Sequence, residues 1–197
     1  EEVAAVDTED EEAEAELHRA TEIAPTDLRM WTSLVGFCVR KKQITAAQTA
    51  MEQLKQLAEF STKAQRELVL AQLEFQLGSP EKAQQRFAQA IELAEDDELK
   101  ALALVHGARL DESMKRIDEA VNKLQLAAKL VPSHAATRRM FATALAARGK
   151  ADDYDRAIEL LERDEVFAGS ASNDRRLKGL LLSRRADVST RHRKAAG

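Results

Sequence analysis

Ser79-Pro80-Glu81-Lys82-Ala83-Gln84-Gln85-Arg86-Phe87-Ala88-Gln89-Ala90 carries a helix start and a packing signature together. Ser79 is suited to cap a helix. Pro80 suits the first helical position, where its missing N–H costs nothing, and Glu81 complements the positive end of the helix dipole. The helix that follows places a small residue at Ala83, a large one at Phe87 and a small one at Ala90, all on one face.

The same small–large–small triplet returns along the chain. It reads Ala13, Leu17, Ala20, then Ala47, Met51, Leu54, then Ala120, Leu124, Ala127, and finally Ala157, Leu161, Asp164, where the last slot has decayed. Successive copies lie about 34 to 37 residues apart, the period of helix-pair solenoids. One amphipathic pair is too thin to bury its own apolar faces, so each pair is covered by its neighbours. The small slots permit close helix approach and the large slots fill the seam.

Composition agrees. Of 197 residues, 44% are hydrophobic but only 4% aromatic, with 7 Gly and 3 Pro, a helix-forming balance poor in strand residues. No segment alternates with period two, so no strands are expected. The net charge of −4 is unevenly spread. Residues 1–16 hold acids and no Lys or Arg. Arg175, Arg176, Lys178, Arg184, Arg185, Arg191, Arg193 and Lys194 crowd the other end. Cys38 is the single cysteine, which rules out an intrachain disulfide, and its apolar helical setting predicts burial. No run is long and apolar enough to span a membrane, and Glu1 and Glu2 stand where a secretory signal would be basic. A soluble segment is expected; the compartment is not encoded, with the cytoplasm favoured.

Breakers and caps divide the chain. Residues 1–9 read as an acidic, partly disordered lead, and residues 10–197 as a single array of about five helix pairs plus the start of a sixth. An amphipathic helix from about Asp10 ends before Pro25. Thr26 is expected to cap the next, which runs to about Lys42 with Met30, Trp31, Leu34, Val35 and Cys38 on one face. A helix from Ile44 to Phe60 follows. Ser61 is expected to cap the third pair, Gly78 to stop its first helix in a left-handed turn, and Pro80 to open its second. The fourth pair spans about Asp97–Val131. Ser133 is expected to cap the fifth, whose first helix ends at Gly149 and whose second covers Tyr154–Arg163. Ala168–Asn173 reads as a turn with Ser172 or Asn173 as cap, and Leu177, Leu180 and Leu181 open the sixth pair. Those leucines, and the first triplet's lack of a preceding partner helix, lead us to expect a fragment of a longer protein, with self-association through uncapped repeat ends as an alternative reading.

These residues resemble the tetratricopeptide repeat. Trp31, Leu34 and Val35 match the bulky, leucine and small positions of its first helix, although Val35 exceeds the usual glycine. The triplets match its second helix. Pro25 and Pro132 stand where a proline closes the unit, Glu59 and Glu95 do not, and Gly78 and Gly149 match the glycine between helices. The fit covers about residues 10–186. It implies an all-α, right-handed α-solenoid of antiparallel helix pairs whose first helices line a concave groove. Carried across, that groove comprises Arg29, Thr32, Arg40, Gln65, Gln72, Phe75, Arg109, Arg139, Thr143, Arg175, Lys178 and Arg185. Cations recur there, with Glu112 the main acid, which predicts attraction of an acidic peptide. Thr32 and Gly36 occupy the places where Lys and Asn would open the chaperone-tail clamp of some members, so that ligand is not expected.

Catalytic and metal signatures are missing from the sequence. His18, His106, His134 and His192 are scattered, one cysteine cannot build a zinc site, and Gly149-Lys150 lacks the rest of a phosphate loop. Asp96-Asp97 and Asp152-Asp153 stand at helix starts, where capping explains them. No cofactor and no enzymatic activity are expected. The sequence therefore points to a protein-interaction scaffold that binds a protein or peptide segment. Self-assembly is one alternative. Nucleic-acid contact through the basic end is another, disfavoured because no aromatic residue follows Phe167.

Overall fold

A computed structural model describes residues 2–150, 152–162 and 175–186, and every regular element among them is helical. The helices are α1 (Glu2–Ile23), α2 (Leu28–Arg40), α3 (Ile44–Leu57), α4 (Lys63–Gln76), α5 (Pro80–Leu93), α6 (Asp97–Ser113), α7 (Ile117–Leu130), α8 (Ala135–Arg148) and α9 (Asp153–Glu162). A further helix, α10, covers residues 175–186. The turn expected at 168–173 and the last triplet position at Asp164 lie outside the described residues. The chain forms two compact units, Glu1–Leu93 and Ala94–Gly197.

α1 reaches back to Glu2, well ahead of the expected start at Asp10. Ala and Glu sustain a helix and no Gly or Pro interrupts residues 2–9, while acids near a helix start suit its dipole. In the first unit α1 packs on α2, α2 on α3, α4 on α5, and α2 also meets α4. In the second unit α6 packs on α7, α7 on α8 and α8 on α9. Short connections make the sequential helices in these contacts antiparallel neighbours.

The triplets lie in these seams. Ala47, Ala83, Ala120 and Ala157 are all 0% exposed, and Met51, Phe87, Leu124 and Leu161 are buried beside them. The first copy departs from this pattern, with Ala13 exposed and Leu17 and Ala20 half-buried. Cys38 is buried, as its setting required, in a core with Trp31, Leu34, Val35, Met51 and Leu54.

One backbone conformation recurs in the turn between the helices of each pair. Lys42, Gly78, Lys115 and Gly149 have φ of 60°, 74°, 61° and 70°, the left-handed region. In the first three turns the next residue returns its N–H to the helix: Gln43 to the Cys38 carbonyl, Ser79 to Glu74 and Arg116 to Asp111, at 2.9, 2.9 and 2.8 Å. This is the Schellman closure. In the fourth, Gly149 itself donates to the Leu145 carbonyl at 3.0 Å, the simpler left-handed cap. Two of the four turns therefore use lysine where glycine is less strained.

The expected caps are displaced by one residue. Asp27, not Thr26, caps α2 by accepting from the Arg29 N–H at 2.9 Å. Thr62, not Ser61, caps α4 by accepting from the Gln65 N–H at 3.0 Å. His134, not Ser133, precedes α8. The two proline loops share another device. Trp31 Nε1 donates to the Pro25 carbonyl at 2.7 Å, and Arg138 Nη1 donates to the Pro132 carbonyl, each from six residues downstream. Both side chains are buried, and each ties the incoming loop to the helix that follows.

Phe87→Ala should destabilise by about 3–5 kcal/mol, since it empties a close-packed seam. Gly78→Ala should cost about 1–2 kcal/mol through backbone strain alone, because an added Cβ there meets nothing within 4 Å. Lys115→Gly should act in the opposite direction and by less, since unfolded glycine is freer. Urea midpoints at unchanged slope would check all three.

Candidate functional site

Counting back from each left-handed residue aligns the first helices of the pairs, α2, α4, α6 and α8. Six residues before it stand Gly36, Gln72, Arg109 and Thr143, and two before it stand Arg40, Gln76, Ser113 and Ala147. These rows project from the exposed side of each helix.

In the first unit they open onto a groove of about 570 Å³, lined by Thr32, Ser33, Gly36, Val39 and Arg40 of α2, Gln76 of α4 and Leu17 of α1. Thr32 and Arg40 both line it. Ser33, Val39 and Gln76 were missed, yet Gln76 holds the same slot as Arg40 and could have been found by that count. Gly36 forms an open stretch of the wall. A Cβ there would meet only Arg40 Nη1, at 3.5 Å, an ordinary contact. Packing does not demand glycine at 36; its effect is to leave the groove clear.

Other expected groove residues are otherwise engaged. Arg29 grips Asp27 through Nη2 to Oδ2 at 2.7 Å and Nε to Oδ1 at 3.1 Å. That pairing holds the Asp27 carboxyl below its usual range. Gln65 Oε1 accepts from the Ser61 N–H at 2.6 Å, so Gln65 closes the α4 cap. Gln72 and Phe75 are half-buried on α4.

In the second unit, Arg109 is exposed on α6, Arg139 is half-buried and Thr143 is exposed, donating to the Arg139 carbonyl at 2.9 Å. Arg175 is exposed on α10. Two other α10 cations meet acids: Lys178 pairs with Glu162 at 2.9 Å and Arg185 with Asp155 at 2.7 Å. The acids lie on α9, the second helix of its pair, so first helices counted alone overstate the positive charge.

The second unit has its own cleft, of about 300 Å³. Glu98, Ala101, Leu102 and Val105 of α6, Val131, Ser133 and His134 of the loop between α7 and α8, and Thr137 of α8 line it. His134 Nδ1 lies 2.7 Å from Thr137 Oγ1. Leu102 was missed, although it occupies the α6 place that Arg29 holds on α2, thirteen residues before the left-handed turn.

Along α6, burial and then the Arg109 charge push the His106 pKa down, and burial pushes Glu112 up against the pull of Arg109. Burial also raises the Cys38 thiol, so it is a core side chain and not an activated nucleophile. Among the described residues, no three His, Cys, Asp or Glu side chains converge as a metal site would, and no helix is long and apolar enough to cross a membrane.

Solved structures share this architecture. TTC0263, a thermophilic TPR protein of Thermus thermophilus, superposes with a TM-score of 0.63 at 16% identity, covering 92% of this chain and 94% of that one. BtubC from P. vanneervenii gives 0.63 at 13%, covering 96% and 90%. YrrB, described as a TPR protein with an unusual peptide-binding site, gives 0.54 at 17%, covering 90% and 88%. No protein-family model and no curated protein matches the chain. The fold is a tetratricopeptide-type helical repeat, as the sequence resemblance implied.

His106 ties stability to pH. Its folded pKa is depressed, so its contribution is complete above the unfolded value of about 6.5 and lost as pH falls toward the folded value. Glu112, raised, acts with the opposite sign, favouring the fold at low pH and losing that contribution as pH rises. His106→Gln should therefore lose less melting temperature than the parent between neutral pH and pH about 5. Parallel melting curves of the two proteins would test this.

Proposed function

We propose that the chain is a non-catalytic protein-interaction scaffold, and that the α2–α4 groove of the first unit receives an extended segment of a partner. The observation that carries this reading is the groove itself: an opening of about 570 Å³ where Thr32, Ser33, Arg40 and Gln76 converge around the bare backbone of Gly36. It offers hydroxyl and amide groups for a peptide backbone, the Val39 and Leu17 side chains for apolar contact, and one guanidinium. Arg40 is exposed at its rim, and it favours a carboxylate on the incoming segment. The described peptide-binding site of YrrB, on the same fold, supports this class of ligand.

Arg109, Arg139, Thr143 and Arg175 extend the proposal to the second unit as further contacts for an acidic segment. Arg29, Lys178 and Arg185 each also meet a carboxylate. Gln65 serves the helix cap, while Gln72 and Phe75 lie on α4 outside the groove lining.

Selection of displayed peptides against the intact chain would test the reading. Peptides so obtained should be enriched in Asp or Glu and should lose roughly tenfold in affinity with Arg40→Glu. Gly36→Leu should obstruct the groove while keeping or raising the melting temperature, since leucine is the better helix former. Selected peptides that bind both variants as well as the parent would refute the assignment.

A further inference from the structure

We infer that the second unit carries a separate docking site, and that its occupant is a protein segment with one large apolar side chain flanked by Lys or Arg. The site is the cleft between α6 and the start of α8.

Its chemistry differs from that of the first groove. Leu102 and Val105 form one wall and Val131 another. Leu102 is 44% exposed, a large aliphatic side chain in a row where the other pairs place Arg29, Gln65 and Ala136. Nothing in that row requires an apolar residue for folding, since arginine and glutamine serve at the same place. The polar groups at the opposite wall, His134 and Thr137, bond each other, so an entering apolar group need not break a bond to water made by both. At about 300 Å³, the cleft lies at the small end of the roughly 300–1,000 Å³ typical of small-molecule pockets, which fits a single anchoring side chain.

Charge selects what flanks that anchor. Glu95, Asp96, Asp97 and Glu98 form an unbroken exposed run into α6. Asp96 is occupied as the cap, accepting from the Leu99 N–H at 2.7 Å. Glu98 lines the cleft itself, with Glu95 and Asp97 nearby in the chain and Lys100 the nearest cation in sequence. An acidic segment would be repelled here, whereas Lys or Arg beside the apolar anchor would be attracted. Anchors of this kind, an apolar side chain in a pocket with a charged rim, carry most of the affinity at protein interfaces.

The test uses a fluorescein-labelled synthetic peptide with one central Trp between Lys-Arg pairs, titrated into the intact chain and followed by anisotropy. Saturable one-to-one binding is expected. Replacing Trp by Ala, or the cations by Glu, should each weaken it by at least about tenfold. Leu102→Lys and Glu98→Lys, both at positions not fully buried, should do the same with circular dichroism and melting unchanged, while Arg40→Glu should leave binding intact. Failure to saturate, equal binding of the Glu-flanked peptide, or indifference to Leu102→Lys would each overturn the site. Loss of binding with Arg40→Glu would place the peptide in the first unit's groove and also overturn it.

Discussion

Four alanines with no accessible surface, Ala47, Ala83, Ala120 and Ala157, set the distance between the helices of each pair. A side chain any larger at these crossings would drive the helices apart, because the seam is already filled by Met51, Phe87, Leu124 and Leu161. The rest follows from that contact. Helices this close need a tight connection, the tight connection needs a left-handed residue, and that residue fixes which side of the first helix remains outside.

The interior tolerates two chemistries at one place in the seam. Four residues before the left-handed turn stand Cys38, Glu74, Asp111 and Leu145. Three residues after the seam alanine stand Ala50, Arg86, Lys123 and Leu160. The slots are apolar in the α2–α3 and α8–α9 pairs, and acid faces base in the α4–α5 and α6–α7 pairs. Glu74 lies 3.8 Å from Arg86, which also bonds Glu67 at 2.7 Å. Asp111, 1% exposed, is held by Arg116 at 2.7 Å and by Lys123. Each buried acid therefore faces a cation, and Asp111 is hydrogen-bonded as well, the condition under which such a pair is tolerated. Because apolar pairs serve equally at the same slot, the ion pairs are better read as fixing which helix meets which than as a source of net stability.

The sequence made the fold legible because the seam is written in residue size, and size recurs with the period. Glycine turns were legible at Gly78 and Gly149 for the same reason. Lys42 and Lys115 were not, since a lysine in a left-handed turn carries no local signal; only alignment to the glycine turns exposes it. Caps were misplaced by a residue at Asp27, Thr62 and His134 because two or three adjacent residues could each precede the helix, and only the backbone decides among them. The candidate site was half legible. Thr32 and Arg40 could be placed by register. The engagement of Arg29, Lys178 and Arg185 depends on acids outside their own helices or in the preceding cap, which periodicity along first helices does not track. Leu102 escaped notice because an apolar residue in a helix reads by default as core.

What distinguishes the two concave regions is therefore the departure from the repeat and not the repeat itself. Gly36 sits mid-helix where Gln72, Arg109 and Thr143 stand in the other pairs, at a cost of about 1 kcal/mol in helix propensity relative to alanine. Its neighbours do not require it, because an added Cβ would make one ordinary contact with a flexible arginine. Leu102 is exposed where the other pairs carry polar or small residues, at a cost in solvation. Each residue is unfavourable by the local rule for its position, and each lines an opening in its own unit. Folding explains the residues that obey the repeat. Gly36 and Leu102 break it, and neither departure is required by the slot it occupies, since the other pairs fold with different residues there.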